Sequence, residues 1–321
     1  MALSRFKRIG VGFGASAVLS AIVLGVAHMA IAQTSAKATY TEGMDKVCGE
    51  CHKALTPKIV DAFSKTSHPV AMRAGSEAGA VAAVFDEDSP LAKESIAYVM
   101  LWGPYQVYVD KDMKTLRGKW NVAAKKWETM EVVDATTELI PKHTTGWDPA
   151  TKKWAEMGVK CESCHGPGSI HKGTAKKLDI VNPKKQTAGK LAMICAQCHA
   201  VGASKDGTVR YAKGYKPGDD INSFLVVDKV TKPGTHQEYN EWMTSKHATA
   251  GIECNSCHVV HGEGSANHAQ LVKPLPDLCL TCHKDVVASA KHPKFKPEET
   301  CSACHMPQGM HTFSKPGAAA L

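Results

Sequence analysis

A five-residue word, Cys-x-x-Cys-His, constrains this chain more than any other feature: it occurs six times and uses all twelve cysteines. The copies are Cys48-Gly-Glu-Cys51-His52, Cys161-Glu-Ser-Cys164-His165, Cys195-Ala-Gln-Cys198-His199, Cys254-Asn-Ser-Cys257-His258, Cys279-Leu-Thr-Cys282-His283 and Cys301-Ser-Ala-Cys304-His305, here words 1 to 6. Two cysteines three apart on a turn can bond the two vinyl groups of a porphyrin, and the adjacent histidine then reaches the iron. The word is the attachment signature of c-type haem. Paired cysteines also build zinc sites, redox dithiols and disulfides. None of those needs a histidine after each pair, yet every pair here has one. The expected cofactors are six covalently attached haem c groups, with His52, His165, His199, His258, His283 and His305 as proximal ligands.

Composition agrees. Aromatics make up only 6 % of the 321 residues, and porphyrins would supply much of the missing apolar filling. The N-terminus reads Met1-Ala-Leu-Ser-Arg5-Phe-Lys7-Arg8, followed by an apolar run of 24 residues from Ile9 to Ala30-Ile31-Ala32. A basic start, an apolar middle and a small-x-small end describe a secretory signal over residues 1–32. The alternative is an uncleaved membrane anchor, since the run is long enough to span a bilayer. His28 lies inside it and is discounted as a ligand. Removing 32 of 321 residues leaves 289, about 48 for each haem, so the haems are expected to lie close together and to count as core.

Export would place the cysteines where disulfides normally form, but here all are expected as thioethers. The formal charge of +8 falls to +5 without Arg5, Lys7 and Arg8. Haem propionates would outweigh that remainder, and no nucleic-acid recognition motif accompanies it, so no nucleic-acid partner is expected.

The words are unevenly spread. Between His52 and Cys161 lie 108 residues without an attachment site, the one place where ordinary secondary structure can dominate. Residues 56–65 read as a short helix opened by Thr56 with Pro57 in its first turn, carrying His68 back toward a haem. Tyr105, Val107 and Val109 alternate with solvent-side positions before Asp110-Lys-Asp112, and Leu116 and Trp120 follow, which predicts a β-hairpin near 95–120. Trp120, Trp127, Trp147 and Trp154 read as packing residues. Gly214-Tyr-Lys-Pro-Gly-Asp-Asp220 and Lys232-Pro-Gly234 are turns, and the tail after Phe313 has little to hold it. The expected fold is that of a multihaem cytochrome, mainly short helices and coil wrapped around a closely spaced haem chain, with the small hairpin as insert. Residues 33–200 would form an N-terminal three-haem part and residues 201–321 a C-terminal three-haem part.

Six irons can take six distal ligands. Without the proximal residues and His28, nine histidines remain: His68, His143, His171, His236, His247, His261, His268, His292 and His311. Words 2 and 6 share Cys-x-x-Cys-His-x5-His, which brings in His171 and His311. His268 lies in a loop with no repeated context and reads as a solvated residue. Imidazole on both faces makes iron six-coordinate and favours outer-sphere electron transfer over small-molecule binding. Methionine is the alternative axial ligand, but Met306 and Met310 are equally explained by packing.

At these residues the chain resembles the multihaem c-type cytochromes. Residues 47–220 are similar to the family that includes the tetrahaem carrier of nitrifying bacteria and several filament-forming extracellular cytochromes. The likeness rests on Val-Cys-Gly-Glu-Cys-His with Ser67-His68, on Lys160-Cys-Glu-Ser-Cys-His-Gly-Pro-Gly-Ser-Ile-His171 and on the 214–220 turn. The second half resembles the periplasmic decahaem subunits of outer-membrane electron conduits, through Trp242-Met-Thr-Ser-Lys-His247, Cys257-His-Val-Val-His261-Gly262, Leu278-Cys-Leu-Thr-Cys-His283 and His292-Pro293. The resemblance implies bis-histidine haems in stacked and T-shaped contacts, with His68, His171, His247, His261 and His292 as distal ligands. His311 joins them by its matched spacing, with His143 and His236 as contenders. The expected function is an exported electron carrier, periplasmic or at the cell surface. Its partners would be donor and acceptor redox proteins, an extracellular terminal acceptor, or further copies of itself in a filament. The rival is a multihaem reductase or oxidase of small nitrogen or sulfur compounds with one open iron. Such enzymes often carry a word ending in Lys, and none here does.

Overall fold

The computed structural model describes residues 38–232, 234, 236–265, 269–289, 292, 294 and 300–314. The expected signal segment, Pro233, His28, His268 and the tail beyond Ser314 lie outside the described residues. Short helices and coil dominate, as the sequence predicts. The helices are α1 (Gly49–Leu55), α2 (Pro57–Phe63), α3 (Leu139–His143), α4 (Cys161–His165), α5 (Ser169–Thr174), α6 (Lys190–His199), α7 (Glu238–Met243), α8 (Lys246–Thr249), α9 (Asp277–Ala288) and α10 (Cys301–His305). Among the described residues, no helix is long and apolar enough to cross a membrane.

The long gap after word 1 folds as a five-stranded antiparallel meander, β1 (Met72–Ala74), β2 (Tyr98–Trp102), β3 (Tyr105–Val109), β4 (Thr115–Asn121) and β5 (Lys126–Thr129). The expected hairpin is β3 with β4, with Gln106 opposite Trp120 on either side of the Asp110–Asp112 turn. The expected solvent-side positions of β3 are in fact buried. Val107 and Val109 face one cluster with Met72, Met100, Leu139 and Ile140, while Tyr108 faces a second with Val99, Ile96 and Trp120. Gln106 can be buried because the chain satisfies it: its amide donates to the Ala80 carbonyl and its Oε1 accepts from Ala82 N and the Tyr108 hydroxyl. A sheet covered on both faces does not show the in–out alternation of a one-sided one. All four tryptophans anticipated as packing residues join these clusters.

Two short antiparallel pairs, β6 (Thr144–Thr145) with β7 (Glu156–Met157) and β8 (Gly202–Ser204) with β9 (Leu225–Val227), brace the attachment words. Packing is continuous across residue 200. One apolar cluster joins Ala192, Ala196 and Ala200 to Ala212, Tyr215, Ile221, Leu225 and Tyr239. Glu253 reinforces that joint by accepting from Gly189 N and Ala192 N at the start of α6, where a carboxylate complements the helix dipole.

Candidate haem-attachment sites

Four of the six words, 2, 3, 5 and 6, lie within α4, α6, α9 and α10, and word 1 crosses from a single π-helical turn (Met44–Cys48) into α1. Word 4 opens on a 3₁₀ turn, Cys254–Ser256. On a helix, residues i, i+3 and i+4 share a face, so both thiols and the imidazole of a word point the same way. That is the local reason why the spacing works. Thr56 precedes Pro57 of α2 as expected, but its hydroxyl is spent on His52, 3.2 Å from Nδ1, rather than on capping the helix.

No cysteine is joined in a disulfide, so every word keeps both of its sulfurs for attachment. The words also lie close to one another. Cys48 lies beside Cys161, Cys195 beside Cys254 and Cys279 beside Cys301, bringing together words 1 and 2, 3 and 4, and 5 and 6. Between those pairs, Cys164 lies near Cys195 and Cys198, and Cys257 near Cys282.

The imidazoles carry the geometry. An imidazole nitrogen bonds a first-row metal at about 2 Å, so two rings on opposite sides of one iron place their centroids roughly 6 Å apart. His52 and His171 are 6.3 Å apart, His165 and His261 6.2 Å, His258 and His311 6.2 Å, His283 and His247 5.9 Å, and His305 and His292 6.3 Å. His199 faces two rings, His68 at 6.3 Å and His236 at 5.9 Å. Every distal histidine anticipated from sequence, apart from the contender His143, thus lies at this separation from a proximal one.

Hydrogen bonds at the far nitrogen orient the rings. Backbone carbonyls accept from Nδ1 of His165 (Val181, 2.8 Å), His171 (Lys176, 2.8 Å), His258 (Ala269, 2.7 Å) and His305 (Ser314, 3.0 Å). A carbonyl can only accept, so Nδ1 holds the proton and the Nε2 lone pair is left for a metal. His199 differs, because its Nδ1 donates to the carboxylate of Glu238 at 3.1 Å. Burial opposes charge on both partners, but the pairing outweighs it, holding His199 above its ordinary value and Glu238 down at about 2. Buried Glu241 accepts from His311 N at 2.7 Å and so positions that ring.

His143 is used otherwise. It is fully enclosed, with Nδ1 2.7 Å from the Leu139 carbonyl and Nε2 2.8 Å from the Leu101 carbonyl, so each nitrogen faces a backbone carbonyl rather than a space for iron. Met310 is buried and packs, whereas Met306 is half-buried. Sequence reasoning did not single out Glu238, Glu241 or Trp102. Carboxylates and a lone tryptophan carry no motif, and only the fold brings them to the histidines.

The residues therefore fit haem: cysteine pairs free of disulfides, and imidazoles opposed at the right separation, several with their tautomers set by backbone carbonyls. Comparison with known proteins agrees. Residues 246–288 match the doubled CXXCH motif family. The multiheme cytochrome MtrA of Shewanella baltica is 27 % identical over 231 residues, 68 % of this chain and 57 % of MtrA. The cytochrome c nitrite reductase subunit NrfA of Nitratidesulfovibrio vulgaris is 25 % identical over 171 residues, 40 % of this chain and 33 % of NrfA. The chain thus spans less than two thirds of either relative. Among solved structures, the outer cell wall cytochrome OcwA superposes with a TM-score of 0.68 at 21 % identity, over 85 % of this chain and 79 % of OcwA. The undecaheme S-layer cytochrome of Carboxydothermus ferrireducens gives 0.55 at 19 % identity, over 87 % of this chain and 52 % of that one. The chain thus shares its backbone fold with solved multihaem cytochromes and, in residues 246–288, the doubled CXXCH motif.

Proposed function

We propose that the chain holds six haems c in a row, in sequence order, and passes electrons along it between redox partners outside the cytoplasm. The observation that carries this reading is that each of the six proximal rings has a second imidazole opposite it, at 5.9–6.3 Å. Haem supplies a one-electron iron couple; the protein supplies spacing, orientation and tuning. The nearness of consecutive words supports an unbroken row.

The pairing follows a rule. His68, ahead of word 2, faces the ring of word 3, and His247, ahead of word 4, faces the ring of word 5. In the opposite direction, His261 after word 4 faces back to word 2, and His311 after word 6 faces back to word 4. Words 1 and 6 are met by the nearest unit instead, through His171 and His292. Interior sites are thus laced across the chain, so that each pair of words helps to complete its neighbours. His68 and His247 also meet their partners near perpendicular, at 74° and 89°, whereas the four pairs at words 1, 2, 4 and 6 lie within 33° of parallel. On this reading His143 is not a ligand, and the carbonyls that face its nitrogens are the reason.

Cleavage after Ala32, residence in the periplasm or at the cell surface, and assembly with donor and acceptor cytochromes complete the proposal. A filament of copies is its extension, and discrete monomers under filament-preserving conditions would remove that part. The rival reading, a reductase, draws on the likeness to NrfA and on the fold shared with the octaheme sulfite reductase MccA of Wolinella succinogenes, at a TM-score of 0.52 and 16 % identity. Haem quantitation with low-temperature EPR of the oxidised protein decides between them. Six haems, all low-spin, support the conducting row. One high-spin iron points to an open site, with nitrite and sulfite as the first substrates to try.

A further inference from the structure

The site at word 3 is unlike the other five. Among the described residues each remaining proximal histidine faces one other imidazole, but His199 faces His68 at 6.3 Å and 74° and His236 at 5.9 Å and 10°. An iron held by His199 has one axial position left. Only one of the two rings can occupy it at a time.

The two rings arrive from separate elements, each with its own support. The His68 segment runs against residues 158–159: the His68 carbonyl accepts from Val159 N at 2.9 Å. Gly158, at φ +86°, makes that approach possible, since a Cβ there would collide with the Pro69 carbonyl. His236 comes from the chain leading into α7, two residues before the Glu238 that holds His199. Its ring is stacked on Trp102 of β2, with centroids 4.1 Å apart and planes 11° apart. Its backbone sits at φ +58°, an uncommon conformation for a residue with a side chain, and its buried Nδ1 has no hydrogen-bond partner. Both features are costly. Costs of that kind persist where a side chain is wanted in place.

We propose that His236 is a second distal ligand for the iron held by His199, able to replace His68, so that the third haem has two alternative ligation states. The proposal rests on the bis-histidine reading above. In the exchange one iron–nitrogen bond breaks and another forms, and no proton or electron is added. What changes is the angle between the ligand planes, from near perpendicular with His68 to near parallel with His236. Ring angle sets the ligand field of a low-spin iron, so exchange would alter the potential of a haem in the middle of the row. Trp102 is the rail on which the waiting ring is held, which links the sheet, otherwise free of haem, to the electron path.

The test is EPR of the oxidised, haem-loaded full chain as wild type, His68→Ala, His236→Ala and the double variant, with haem content fixed independently. Perpendicular ligands give a large-gmax signal and parallel ones an ordinary rhombic signal. The expected pattern is low-spin iron throughout in the wild type and in both single variants, with one large-gmax signal traded for a rhombic one in His68→Ala. One high-spin iron should appear only in the double variant. A high-spin iron in His68→Ala would show that His236 cannot reach, and one in His236→Ala would show that it is the sole ligand; either overturns the proposal. A high-spin iron already in the wild type would instead defeat the bis-histidine row itself. If His68→Ala fails to take up haem, His68→Gln fills the space without a strong iron bond and is read the same way.

Discussion

The five-stranded sheet and the attachment region at residues 246–314 are held together by different materials. The sheet buries Met72, Val99, Met100, Val107, Tyr108 and Val109 to 2 % exposure or less, and it completes its polar interior with Gln106. In residues 246–314, Met310 is the one apolar side chain buried among those described. The first region is an ordinary protein core. The second leaves its core positions to the cofactor, with paired thiols and imidazoles aimed at the same spaces. Apolar burial contributes roughly 25 cal/mol per Å², so a region that buries almost none of its own side chains must draw stability from groups it binds.

That contrast can be broken most directly by withholding haem. Expressed without an attachment pathway, the chain should lose residues 246–314 first to limited proteolysis, while a fragment containing residues 72–129 persists. Equal rates of loss across the chain, read by mass spectrometry, would mean that the sheet depends on haem as well. The next effect comes from the sheet side. Ile140 is fully buried against β1, β2 and β3, and Ile140→Ala should cost about 2–5 kcal/mol in denaturant unfolding. Haem content should stay unchanged. A lost haem would show that the sheet core also braces attachment.

A smaller effect sharpens the comparison at the place where the two regions meet. The Glu238 carboxylate makes the His199 imidazole a more basic ligand and so favours ferric iron. Glu238→Gln should raise one midpoint potential in a spectroelectrochemical titration. The rise should be no more than about 40 mV, the one-electron equivalent of roughly 1 kcal/mol between a charged and a neutral hydrogen bond. An unchanged set of midpoints would remove Glu238 from the tuning of that site. The smallest change expected is at Thr56→Val, which deletes the hydroxyl next to His52 Nδ1. A loss of about 1 kcal/mol in stability is expected, with all haems retained.

Legibility in the sequence followed the same division. The attachment words could be read outright because their chemistry is local: thiols at i and i+3 and an imidazole at i+4 share a helix face wherever the helix lies. The turn at residues 214–220 and the helix beginning at Pro57 were legible for the same reason, as Gly and Pro limit the backbone at their own positions. The hairpin was legible as an element, but the burial of both its faces was not, because Gln106 and Tyr108 look like outward-facing residues until the Ala80 segment and Trp120 cover them.

What the sequence by itself determined is the chemistry on offer: attachment words, a surplus of histidines and little apolar material around the later words. Only the tertiary structure decided how those histidines are used. His165 meets His261, and His258 meets His311, across long stretches of chain, and no spacing rule in one dimension encodes such a meeting. His143 and His236 were equal contenders as letters. The fold gives both nitrogens of one to the Leu139 and Leu101 carbonyls and lays the other on Trp102 beside His199. The physical reason is that an imidazole is defined by which nitrogen is free and what faces it, and both are properties of its surroundings in space.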